Sequence, residues 1–209
     1  EKFELIIQKE SFPKDENVNA LSFLYLSTNK INLYFMDGSF DDGLLLIPTI
    51  EAKFKDYESR IDEHHIMSFY YKFACMHFGA GQNEKCIAYL NKIISNKSLS
   101  MREDLLCFSR VLNLVAHYEA GQDYHLQSLL KSTYHFLLKM NDLHEVQKEM
   151  IKFIRGLQDI YPQDIIKAFK KLHLKLKEFE NHPFEGRAFL YLDIISWLES
   201  KIVNRPVGQ

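Results

Sequence analysis

Nine histidines and three cysteines are the residues of this chain best equipped for chemistry, and their spacing decides what they could do. Glu63, His64 and His65 stand together. Neighbours on a helix point about 100° apart, so the two imidazoles are poorly placed to share one ion. His144–Glu145 continues as Val-Gln-Lys-Glu, which lacks the second His of the H-E-x-x-H zinc motif. Cys75, Cys86 and Cys107 are 11 and 21 residues apart and form no C-x-x-C pair. Such an odd set of thiols reads as buried side chains in a reducing compartment, hence a cytoplasmic location. Cys75 and His77 lie two apart on one helix and diverge, so they form no nucleophile–base pair. No G-x-S-x-G occurs, and Gly79-Ala-Gly81 is not followed by the Lys-Ser or Lys-Thr of a phosphate loop. Asp41–Asp42 suits a solvated helix start. The reading assigns no catalytic residue, no metal ligand and no cofactor, so the chain is expected not to be an enzyme. A helical enzyme stays as an alternative, whose mark would be a deep pocket with perturbed histidines or carboxylates.

Charge narrows the partners. Lys plus Arg is 26 and Asp plus Glu is 28, a net charge of -2, so no general attraction to nucleic acid or to a membrane surface is expected. Lys167, Lys170, Lys171 and Lys177 fall opposite an apolar stripe, as on a solvated helix face. No run reaches the roughly 18 apolar residues of a membrane span. The chain begins at Glu1, compatible with a processed chain or an excised fragment, so a missing leader pattern carries no weight.

The elements that must hold these residues are helices. Eight Gly and five Pro punctuate 209 residues, and apolar side chains recur at three- and four-residue steps. Leu105, Phe108, Leu112 and Val115 make one such stripe; Ile165, Phe169, Leu172, Leu176 and Phe179 make another. Helices are predicted over 2–10, 18–37, 41–59, 63–79, 83–96, 101–120, 124–140, 143–160, 163–180 and 184–203. Pro162 and Pro183 suit helix starts. Ser100 with Glu103 three residues on has the capping-box pattern. Pro48 lies inside the apolar run 44–50, so the helix over 41–59 is either kinked or starts late.

Three glycine turns look alike. An aromatic stands three residues before each glycine (Phe35 for Gly38, Phe78 for Gly81, Tyr118 for Gly121), and Tyr or His four before it: Tyr34, His77, His117. A branched aliphatic follows nine after: Ile47, Leu90, Leu130. The glycines are 43 and 40 residues apart. With Tyr70, Ala74 and Cys86 at their places around Gly81, this pattern resembles the tetratricopeptide repeat family, in a divergent form with repeats of about 40 residues. It departs from the family where Ile31, Leu114 and Leu126 replace small residues, and a fourth copy near Gly156 lacks the turn glycine.

The resemblance implies an all-α fold, an α-α superhelix of stacked antiparallel hairpins forming one helical-repeat domain over 1–209. Its repeats would span roughly 21–60, 63–97, 101–141 and 143–180, with a capping helix over 184–203. It also implies a non-catalytic scaffold that binds a protein or peptide along a concave groove lined by the first helices of successive hairpins. Groove candidates are Tyr25, Thr28, Asn32 and Phe35, then Ser68, Tyr71, Cys75 and Phe78, then Phe108, Val111, Val115 and Tyr118. Seven of them, Tyr25, Asn32, Phe35, Tyr71, Phe78, Phe108 and Tyr118, are the expected partner contacts. The alternative for each is packing on a neighbouring helix. Family members that clamp a terminal carboxylate use lysines and asparagines there; only Asn32 fits that role, which argues against that subclass. His77 and His117, at equivalent positions, are expected near each other. A regulatory module sensing a ligand or peptide within a larger protein is the second functional reading. The sequence does not fix the partner or the oligomeric state.

Overall fold

The computed structural model describes residues 15–96, 103–140, 144–183, 185 and 194–207. Among the described residues the fold is all-α, without strands. The elements are α1 (Glu16–Met36), α2 (Phe40–Leu44), α3 (Ile47–Asp56), α4 (Glu63–Gly79), α5 (Asn83–Ile94), α6 (Glu103–Glu119), α7 (Asp123–Met140), α8 (Glu145–Gly156), α9 (Ile165–Lys177) and α10 (Ile194–Val203). Two 3₁₀ turns, Leu157–Asp159 and Pro162–Asp164, join α8 to α9. The predicted helix over 2–10 and the Ser100 capping box lie outside the described residues, as does most of the chain just after Pro183.

Local chemistry accounts for the boundaries. Asp15 caps α1 by accepting from Asn17 N at 2.8 Å, and Asp62 caps α4 by accepting from His65 N at 2.9 Å. The expected helix over 41–59 is two helices. Pro48 lacks an N–H and is tolerated only in a first turn, so α3 begins anew at Ile47. The helix over 143–160 is shorter than expected. Tyr161, before Pro162, is extended at φ -63° and ψ 144°, the conformation that a following proline imposes.

The three glycine turns have one geometry. Gly38, Gly81 and Gly121 take φ of 69°, 72° and 65°, a region open to glycine at little cost. The next residue's N–H returns to a helix carbonyl each time: Ser39 to Tyr34 at 3.0 Å, Gln82 to His77 at 2.8 Å, Gln122 to His117 at 3.0 Å. This closing bond is that of a Schellman turn, which satisfies carbonyls orphaned at a helix end.

Helix α4 is the centre of the packing. Phe69, Phe73 and Met76 enter a core with Ile31 of α1, Phe40 of α2 and Ile50 and Phe54 of α3. Met67, Ala74, Cys75 and Phe78 enter a second core that continues through α5, α6, α7, α8 and α9 to Trp197 of α10. Burying a Phe or Met side chain stabilises by about 1.5–3 kcal/mol, so a helix buried on both faces fixes its neighbours on either side. Among the described residues no helix is long and apolar enough to cross a membrane.

Candidate partner-binding site

The expected groove residues separate into accessible and buried groups. Tyr71, Phe78 and Phe108 are 4%, 7% and 6% exposed and belong to the second core. They pack inside the molecule and do not line an open groove. Cys75, Val111 and Val115 are buried as well. Phe35 is half-buried, edge-on to Phe40 at 5.8 Å. Tyr118 is half-buried, with the Lys201 ammonium 6.0 Å from its ring. Tyr25 of α1 is 66% exposed.

The accessible part of the row is therefore the outer face of α1. Its inner face buries Ala20, Leu24, Ser27 and Ile31, at steps of 4, 3 and 4. Val18, Tyr25, Asn32 and Met36 follow one another at steps of 7, 7 and 4, close to whole helical turns, on the opposite side. Leu21 and Leu33 flank them; Leu33 is 66% and Met36 84% exposed. Single exposed apolar residues are ordinary; here they form a stripe along about 27 Å of helix.

A cation stands beside this stripe. Lys72 of α4 donates from Nζ to Asn32 Oδ1 at 2.7 Å. The lysine is half-buried, and burial lowers its pKa. Among the described residues no carboxylate pairs with it. A lysine so placed favours an incoming anion, because the neutral amide offsets only part of its desolvation. Sequence reasoning left Lys72 out. The sequence carries only a faint signal for it, the apolar run Phe73, Ala74, Cys75 and Met76 beside it; the structure buries these and Tyr71, so the lysine stem is enclosed.

His77 stacks on Tyr89 with ring centroids 5.5 Å apart and planes 15° from parallel, so its stacking partner is a tyrosine and not His117. Its Nδ1 lies 3.1 Å from Gln82 Oε1. Burial lowers its pKa; Gln82 partly offsets this. The ring borders a cleft of about 710 Å³ lined by Leu44, Ile47, Pro48, Glu51, Tyr89 and Lys92 among others. Tyr89 donates its hydroxyl to Glu51 at 3.1 Å, and burial together with Glu51 raises the tyrosine's pKa. Among the described residues that line the cleft there is no Ser, Thr or Cys nucleophile. His65 Nδ1 lies 2.8 Å from its own helix cap, Asp62. Among the described residues no three His, Cys, Asp or Glu side chains converge as metal ligands. The cysteines are buried free thiols.

Comparison with protein-family models, curated proteins and solved structures gives no match.

Proposed function

We propose that this chain is a non-catalytic scaffold of tetratricopeptide-like hairpins that binds a protein or peptide through the outer face of α1. The observation that carries the reading is the pairing of that apolar stripe with Lys72, a half-buried cation whose hydrogen-bond partner is the neutral Asn32. The partner segment is apolar, matching Tyr25, Leu33 and Met36, and carries a carboxylate that pairs with Lys72. The common geometry of the Gly38, Gly81 and Gly121 turns supports the repeat reading.

The test is affinity capture from the source organism's lysate with wild-type chain, a Leu33→Ser/Met36→Ser variant, a Lys72→Ala variant and a Tyr161→Ala control, all checked for intact helicity. A protein retained by wild type and control but lost with both α1 and Lys72 variants supports the reading. Equal capture by all four overturns it, and so does capture of nothing specific.

A second reading, a module that senses a small ligand, is favoured by the His77–Tyr89 cleft alone. A compound library that raises the melting temperature of wild type, but not of Tyr89→Ala, would support it.

A further inference from the structure

The lysines of α9 divide into two sets. Lys175 pairs with Glu149 at 2.8 Å and Lys177 with Glu199 at 3.4 Å. Among the described residues no carboxylate pairs with Lys167, Lys170 or Lys171, and all three are exposed. Phe169, Leu172 and Leu176 turn inward. At about 100° per residue the three lysines and Leu174 therefore share an arc of about 100° on the opposite side. Leu174 is 67% exposed, and Ile166, at the edge of the arc, 47%. The positive character extends past this helix: over residues 145–177, eight Lys and Arg stand against four Asp and Glu. The whole chain has the opposite sign, so its acid is concentrated elsewhere. Over residues 37–63, between α1 and the start of α4, eight Asp and Glu stand against three Lys and Arg. Asp37, Asp41 and Asp42 are exposed there, and Leu45, about one turn after Asp41 and Asp42, is 75% exposed. Each surface thus sets three charges of one sign around an exposed leucine, and the two signs are opposite. The surfaces ride on different cores, α2 and α3 on the first and α9 on the second. Among the described residues no ion pair joins them within the chain.

We infer that the outer face of α9 docks on the acidic surface around α2 of a second copy of this chain. Leu174 and Ile166 meet Leu45 and Pro48, and Lys167, Lys170 and Lys171 ring them against Asp37, Asp41 and Asp42. The contact joins two unlike patches, so copies associate head to tail and do not form a two-fold pair. A row assembled in this way repeats the site of each copy, which raises avidity for a partner that is itself multivalent. The inference does not depend on the α1 surface.

The test is sedimentation velocity of the full chain over a range of concentrations, in about 0.03 M and about 0.5 M salt. Wild type is expected to gain mass with concentration in low salt and to lose that gain in high salt. Lys167→Glu/Lys170→Glu/Lys171→Glu and Asp41→Lys/Asp42→Lys, each checked by circular dichroism, are each expected to self-associate at least about tenfold more weakly than wild type. Mixed in equal amounts, the two variants are expected to associate again, because the intact acidic surface of one meets the intact α9 of the other and the two reversed patches also match. A wild-type chain that stays monomeric at every concentration, an assembly that salt and both variants leave unchanged, or two variants whose mixture does not associate overturns the inference. A monomeric wild type that instead sediments with phosphatidylserine vesicles overturns it too, and assigns the lysines to a membrane surface.

Discussion

Trp197 donates its indole N–H to Glu119 at 2.8 Å across 78 positions of sequence, tying α10 to the end of α6. Lys201 reaches the other oxygen of the same carboxylate. Hydrogen bonds to a charged group contribute about 1.5–3 kcal/mol each when buried. This carboxylate is partly exposed, so Glu119→Gln is expected to cost about 1–2 kcal/mol in urea denaturation. A loss too small to measure would mean that apolar contacts alone hold α10.

The shared turn geometry makes the glycines unequal. At Gly121, φ is 65° and an added Cβ meets nothing within 4 Å. Gly121→Ala therefore carries only backbone strain, about 1–2 kcal/mol. At Gly79 the added Cβ would lie 2.4 Å from the Phe40 ring. Gly79→Ala must displace that ring and is expected to cost about 1–3 kcal/mol. Gly156 ends α8 at φ -77° with open space around it, so Gly156→Ala should gain about 0.5–1 kcal/mol. Chemical denaturation of the three variants checks both signs.

Stability should fall in mild acid. Burial pushes His77 and His117 below the usual histidine range. Gln82 and Gln122 partly offset it, Glu51 opposes it at His77, and Lys85 and His125 add to it at His77 and His117 in turn. An unfolded histidine protonates near pH ~6.5. Above that value both states hold neutral rings and stability is full. As pH falls below it, the unfolded chain takes up protons that the native rings resist, so stability is lost until the depressed native pKa is reached. The melting temperature is expected to drop between about pH 7 and pH 5, less steeply in a His77→Gln/His117→Gln variant. An unchanged slope in that variant would assign the acid sensitivity to other groups.

Asn113 is 4% exposed and its Oδ1 has no hydrogen-bond partner. A buried polar atom left unpaired costs about 1–3 kcal/mol. Asn113→Leu, which keeps the branching and the number of side-chain heavy atoms and removes the polar ones, is expected to stabilise by about 1 kcal/mol if the site takes the bulkier methyl groups. Destabilisation instead would mean that the larger side chain overpacks the site or that an ordered water satisfies this oxygen.

The helices were legible because their signals are local. Pro48 announces the break before α3, and the three glycines announce three like turns, the second of them closing α4. Accessibility was not legible. Phe78 and Phe108 have the same residue types and spacing whether they face a partner or a core. What decides between the two is packing against elements distant in sequence, as Trp197 meets Glu119. Lys72 was missed for a related reason. A lysine within a helix reads as solvated until the burial of its neighbours is known, and that burial comes from two separate cores meeting on α4.

The most direct test of the binding account is photo-crosslinking in the source organism with p-benzoylphenylalanine at position 25 of the full chain and, as a control, at position 161; Tyr25 and Tyr161 are both well exposed. The account predicts a discrete protein adduct from position 25, absent from position 161 and lost when Lys72→Ala is added. An adduct that forms equally from both positions, or none from position 25, would contradict it.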